Sequence, residues 1–292
     1  MQLKINKWFG RLGNNIIQIK NAIQIALYYN YKTITIPYSV FFNTTIINIS
    51  DENNETIITD KNNETNINNN ETIITDKNNE TNINNNETII TDKNNFFYET
   101  TIKNINIELF IFNIDKTILI LKKIFEIKGK LELNDNDIVI HIRSGDIFTN
   151  NPHPLYIMPP LSYYTSILNN NNFNKIYLIA EDTFNPVTHK LIQLYPNIVF
   201  KLRNIQNDIE LLLSCNNVIE SFGSFTKCLL LLSENVENVY KPSYQSTFLI
   251  ESKKYNNKII KINDIDLDDY RKKMFPWKHT KEQLNLMINY NI

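Results

Sequence analysis

The run Asp137-Ile-Val-Ile-His-Ile-Arg-Ser-Gly-Asp146 puts a histidine, an arginine and an aspartate at the end of an apolar stretch. Ile138 to Ile140 has the length and β-branching of a buried strand. His141, Arg143 and Asp146 then fall where such a strand ends, which is where open α/β sheets take their ligands. An arginine there offers a planar fork suited to phosphate, and the competing reading is an Arg-Asp pair that staples a loop. A second stretch, Glu220-Ser-Phe-Gly-Ser-Phe-Thr-Lys227, reads as a strand end turning into an apolar helix. Backbone N–H groups and the hydroxyls of Ser221, Ser224 and Thr226 would cradle a phosphate, or would simply cap the helix.

A third stretch, Gly10-Arg-Leu-Gly13-Asn14, precedes apolar residues at helical spacing (Ile16, Ile19, Ile23, Ala26). A glycine turn entering a helix is a ready anion site, though a short glycine pattern also fits an ordinary loop. Glycine is scarce, 5 in 292 residues against about 7% on average. Four of the five fall in these three stretches, so glycine is kept where backbone turns or approaches a ligand. Glu181 and Asp182 follow the strand at 175–180 and could touch a nucleoside or cap the next helix. Asp208 is read as opening a helix sixteen residues before Ser224, either as an N-cap or as a ligand contact.

Other chemistries fit less well. Asp264-Ile-Asp266 has the spacing of a metal-binding pair but reads as part of an acidic turn outside any strand end, and no metal site is expected. His153, His189 and His279 lack zinc-ligand spacing. No Gly-x-Ser-x-Gly elbow is present, and Cys215 and Cys228 are expected as buried free thiols.

The elements that must position these groups alternate. Strands at 138–142, 175–180, 198–201 and 217–220 interleave with helices at 161–168, 187–195, 208–214 and 225–234, which predicts a parallel, doubly wound α/β sheet. A helix at 281–290 closes the chain. In the first part, a helix after residue 13 and a strand at 33–37 make a βαβ unit, and 115–127 reads as a further helix. The chain divides into an N-terminal domain, 1–130, and a C-terminal domain, 131–292. Residues 53–95 interrupt the first with a phrase of 16-residue period starting at Asn54, Asn70 and Asn86. Three asparagine-rich copies have little to bury, so they read as a low-complexity surface insertion, mobile or in exposed strands, that adds no core. The sequons at Asn54, Asn63, Asn70, Asn79 and Asn86 arise from that composition and are expected to be unused. A net charge of −1 gives no argument for a nucleic-acid partner. With no signal peptide and no long apolar run, no membrane anchor is expected and a cytoplasmic location is.

Taken in order, the three motifs resemble the α-1,2-, α-1,6- and protein O-fucosyltransferase superfamily. Gly10-Arg-Leu-Gly-Asn resembles its N-terminal glycine turn, His141-Ile-Arg-Ser-Gly-Asp its His-x-Arg-Arg-x-Asp signature, and Asp208 with Ser221-Phe-Gly-Ser-Phe-Thr its third motif. The resemblance implies a GT-B-like fold, two Rossmann-like domains facing a cleft, with 131–292 the nucleotide-sugar-binding domain. It also implies inverting, metal-independent transfer of fucose from GDP-fucose to a glycan hydroxyl, the donor being a substrate and no further cofactor being needed. Residue by residue, it implies that Arg143 binds the β-phosphate and His141 the nucleotide. Asp208 would accept the guanine N–H groups, Ser221, Ser224, Phe225 and Thr226 would line the diphosphate, and Gly13 and Asn14 would bind donor from the first domain. Asp146 is the nearest candidate for general base, and the segment His153 to Tyr164 a candidate acceptor flap. Ser144 stands where the signature has a second arginine. That departure keeps open a different nucleotide-sugar donor, or a non-catalytic nucleotide- or glycan-binding module.

Overall fold

A computed structural model describes residues 2–49, 71–74, 88–91, 113–126, 131–246, 254–255 and 258–292. The chain divides into two compact units, Met1–Ile127 and Lys128–Ile292.

The first unit holds a five-stranded sheet and two described helices. β1 (Gln2–Ile5) leads into α1 (Leu12–Tyr28), which returns to β2 (Thr33–Thr35), parallel to β1. Ile16, Ile19, Ile23 and Ala26 are all fully buried, but Gln18, Asn21 and Gln24 between them are buried too, so α1 is covered all round rather than on one face. Gln18 ties the entry loop to the helix, accepting from the Phe9 N–H at 2.9 Å and donating to the Lys7 carbonyl at 3.3 Å. β3 (Ile46–Asn48) pairs antiparallel with β2, and α2 (Ile114–Ile124) packs against α1.

Of the two forms expected of the repeat, its described part takes the strand form, and those strands extend the sheet. β4 (Glu71–Ile74) and β5 (Thr88–Thr91) both come from 53–95, and the sheet order is β3-β2-β1-β5-β4. β5 runs parallel to β1 on one side and to β4 on the other, so the repeat supplies interior backbone pairing rather than an appendage. The reason lies in the repeated Glu-Thr-Ile-Ile-Thr phrase, whose β-branched residues favour extended backbone even where the flanking asparagines do not. The five sequon asparagines lie outside the described residues.

The second unit carries a six-stranded, wholly parallel sheet. Its strands are β6 (Ile138–Ile142), β7 (Ile176–Ala180), β8 (Ile198–Phe200), β9 (Asn217–Ile219), β10 (Asn238–Pro242) and β13 (Lys261–Ile265), in the order β13-β10-β9-β6-β7-β8. Read from the β8 edge this is 3-2-1-4-5-6, the strand order of a Rossmann-like doubly wound sheet. The helices between are α3 (Leu161–Asn169), α4 (Pro186–Leu194), α5 (Ile205–Ser214) and α6 (Phe225–Leu230), followed near the C-terminus by α7 (Asp268–Met274) and α8 (Lys281–Asn289). A two-residue hairpin, β11 (Lys254–Tyr255) with β12 (Lys258–Ile259), precedes β13.

Alternation along the strands divides the core. Ile138, Ile140, Ile142 and Ile219 pack on one face with Tyr163 of α3, Leu191 of α4, Tyr270 of α7 and Met287 of α8. Val139, His141, Val218 and Glu220 therefore belong to the other face. Phe225, at the start of α6, lies on that side with its ring 5.3 Å from His141. Both cysteines are buried free thiols. Among the described residues, no helix is long and apolar enough to cross a membrane.

Candidate ligand site at the strand switch point

The chain goes from β6 outward through β7 to β8, then crosses back to lay β9 on the other flank of β6. The carboxyl ends of β6 and β9 are thus neighbours that lead in opposite directions, and this is the place where doubly wound sheets open a crevice for ligands. Two sequence motifs that are 80 residues apart meet there, the one after β6 and the one after β9.

On the β6 side the backbone is held by a short network. Ser144 is fully buried; its Oγ donates to the Asp182 carboxylate and accepts the Asn185 N–H at 3.1 Å. Asn185 Nδ2 donates to the Arg143 carbonyl at 3.0 Å, while its Oδ1 accepts from Val187 N and caps α4. Residue 144, arginine in the signature it resembles, is here a buried clasp between the ends of β6 and β7. The same network removes the capping reading of Glu181 and Asp182, because Asn185 is the cap. Gly145 has φ +69°, a backbone conformation that favours glycine, and the Glu181 carboxylate stands close against it.

The turn at Gly145–Phe148 carries Asp146 round to form an ion pair with Arg143. Trp277 anchors this turn from the C-terminal segment, its indole N–H donating to the Ile147 carbonyl at 2.7 Å. Burial, and secondarily the charge of Arg143, holds the His141 imidazole down at about 3. His141 is therefore neutral near pH 7, with one ring nitrogen to donate and one to accept.

On the β9 side the chain turns through Ser221, Phe222, Gly223 and Ser224. Ser221 and Thr226 are buried, and Gln245 Nε2 holds the turn by donating to the Gly223 carbonyl at 2.8 Å. The helix expected at 225–234 is shorter: α6 ends at Leu230 because the apolar run Leu229–Leu232 turns into the core, where Ser233 binds back to Leu229. Six residues leave little helix dipole, so the hydroxyls and loop amides are what this side offers an anion.

Asp208 does not open its helix. α5 begins at Ile205, and Asn204 is the cap, its Oδ1 accepting from Asn207 N at 2.9 Å. Asp208 sits a turn further in, half-buried, with its carboxyl raised to about 6 by burial against the opposing pull of Arg203. α5 packs against α6, so Asp208 and Thr226 lie on neighbouring helices. The side-chain capping alternative is thereby removed, and the carboxylate keeps only its place in the first helical turn and the attraction of Arg203.

Gly13 and Asn14 belong to the first unit. They stand inside the first turn of α1 rather than in the turn before it, since the helix starts at Leu12 and the positive-φ residue is Gly10 (φ +68°). The segment expected as a flap is pinned: Tyr163 and Tyr164 are fully buried, and Tyr270 donates to the Met158 carbonyl at 2.9 Å. It begins α3 behind Pro160. Asp264 is not in a turn but in β13, where it pairs with Lys241, and Asp266 accepts from Asp268 N at 3.0 Å. Both carboxylates of that Asp-x-Asp thus have local partners.

Sequence reasoning passed over Glu220 and Lys241. Their signal was a charged residue ending each of two short apolar stretches, Val218-Ile219-Glu220 and Val239-Tyr240-Lys241, where a strand buried on both faces should carry none. No protein-family model matches the chain, and no curated protein or solved structure does.

Proposed function

We propose that the chain is an inverting, metal-independent glycosyltransferase acting on a nucleotide-sugar donor, GDP-fucose before others, with a glycan hydroxyl as acceptor. GT-B architecture is part of the same proposal. The observation that carries it is the meeting of His141, two residues before Arg143, with Phe225 of the Ser221 to Thr226 turn at the switch point of a 3-2-1-4-5-6 sheet. A permanent cation and several hydroxyls there suit a diphosphate.

In this reading Arg143 exchanges Asp146 for the β-phosphate and stabilises the charge that develops as the nucleotide leaves. Neutral His141 hydrogen-bonds the nucleotide without adding charge. Asp208, ionised near pH 7, accepts the guanine N–H pair. Asp146, released from Arg143, takes the acceptor proton; the acceptor oxygen bonds to the anomeric carbon, and the carbon–phosphate-oxygen bond breaks with its electron pair going to GDP.

One observation favours a second reading. Ser144 is a buried clasp, so the second signature arginine has no counterpart and the donor sugar can differ from fucose, or turnover can be absent. A panel of GDP- and UDP-sugars with glycan acceptors, scored by mass detection of released nucleotide, tests the choice. GDP release from GDP-fucose supports the first reading. Release from another donor, or GDP binding without release, supports the second.

A further inference from the structure

Glu220 is 1% exposed, and among the described residues neither of its carboxyl oxygens has a hydrogen-bond partner. The Thr226 hydroxyl, six residues on, is a second buried orphan. A buried polar group left without a partner is costly and asks for an explanation. Register places it. Ile140 and Tyr240 flank Ile219 across β6, β9 and β10, and Lys241 pairs with Asp264. One step further along, His141, Glu220, Lys241 and Asp264 form a row across four adjacent strands at their carboxyl ends, on the face where Phe225 meets His141. The cation next in the row is already engaged, since Lys241 bonds Asp264 and donates to the Gln245 carbonyl at 2.9 Å.

We propose that Glu220 is a ligand-binding residue, whose carboxyl receives a vicinal diol of the nucleotide sugar at the switch point. This rests on the nucleotide-sugar reading above and gives a role to a residue that headed the second motif stretch without one. Two adjacent hydroxyls match the two oxygens of one carboxyl, and a diol both donates and accepts. Burial, opposed by Lys227 and Lys241, pushes the carboxyl up to about 8, so near neutrality it too offers one donor and one acceptor. A diol is carried both by the ribose and by the transferred pyranose.

The test compares wild type, E220Q and E220M by calorimetry with GDP, 2′-deoxy-GDP and GDP-fucose, and by thermal melting without ligand. Glutamine keeps a donor and an acceptor, whereas methionine keeps only the shape. If the ribose is bound, E220M weakens GDP about tenfold or more and weakens 2′-deoxy-GDP, which keeps one of the two hydroxyls, clearly less. If the pyranose is bound, GDP is unchanged and the gain of GDP-fucose over GDP disappears. In either case E220Q stays within about threefold of wild type, and E220M melts no lower than wild type because an orphan polar group has gone. Unchanged ligand preferences in E220M overturn the inference alone. So does an E220M chain that fails to fold, or that loses all three ligands equally while melting lower, since the carboxyl is then structural. Wild type that binds neither GDP nor GDP-fucose overturns the function proposed above, and this inference with it.

Discussion

The Arg143 guanidinium holds the Asp146 carboxylate across the Gly145 turn, so the one permanent cation of the β6 loop already has an anion three residues away. A phosphate must displace that carboxylate. Asp146 is half-exposed, and such a pair contributes about 0.2–1 kcal/mol. Asp146→Asn is therefore expected to tighten GDP by up to about fivefold while turnover falls, because the proton acceptor proposed above is lost. Calorimetry and nucleotide release on the same preparation check it. Weaker GDP binding would show that Asp146 positions Arg143 rather than competing for it.

Asp208 sets a pH dependence. Its carboxyl is raised to about 6 by burial, so the folded protein holds a proton that the unfolded chain releases nearer 4. Stability from this group is greatest at low pH and falls as pH rises through 6. GDP affinity runs the other way, since only the carboxylate accepts both guanine N–H groups. Affinity should drop below pH 6, and Asp208→Asn should weaken GDP far more than ADP by presenting an NH₂ to a donor edge. GDP titrations at pH 5 and pH 7.5 decide it. A flat profile with an unaffected variant removes Asp208 from the site.

Glu220 makes a similar statement about stability over a wider range. Its folded carboxyl titrates at about 8 against an ordinary 4.5, so the native state binds the extra proton between those values and loses stability as pH rises through them. Glu220→Gln cannot titrate. The melting temperature of wild type should decline from pH 5 to pH 8.5 more steeply than that of the variant. Parallel curves would mean that Lys227 and Lys241 stabilise the carboxylate more than the direction of its shift implies.

Deleting 53–95 removes β4 and β5 and leaves β1 as a sheet edge. An uncovered parallel edge is prone to pair with other chains. A markedly lower melting temperature and self-association on size exclusion are expected. A monomer that melts within a few degrees of wild type would return the repeat to the role of an appendage.

Trp277→Phe leaves the Ile147 carbonyl unpaired in the core and opens a void. The cost is about 1–3 kcal/mol, readable by urea unfolding. The turn bearing Asp146 should loosen with it, so GDP affinity should fall in step. A loss of stability with unchanged GDP binding would separate the anchor from the site.

Local signals carried much of this molecule. Ile138–Ile142 was legible residue for residue because a strand buried on both faces is a mainly apolar, β-branched run, interrupted here by His141 alone. The spacing at Ile16, Ile19, Ile23 and Ala26 foretold the helix but not that α1 is buried on its polar side as well, since only the assembled unit covers Gln18, Asn21 and Gln24. Arg143, Asp146 and the Ser221 to Thr226 turn could be named as candidates because strand ends are where polar groups interrupt such runs. What the chain does not state locally is which strand lies beside which. That β9 rather than β8 flanks β6 depends on pairing between residues some 80 apart, and only that pairing turns two loops into one site. β10 and β13 were missed for the related reason that Asn-Val-Tyr-Lys-Pro and Lys-Ile-Asn-Asp-Ile look polar until their charges are seen to pair across the sheet as Lys241 and Asp264. Ser144 could have been any loop serine until Asp182 and Asn185 closed on it. Asp208 could have been a cap until Asn204 took that place. Glu220 is the sharpest case: it stands out because it is buried with no hydrogen-bond partner among the described residues, and burial is a property of the assembled sheet.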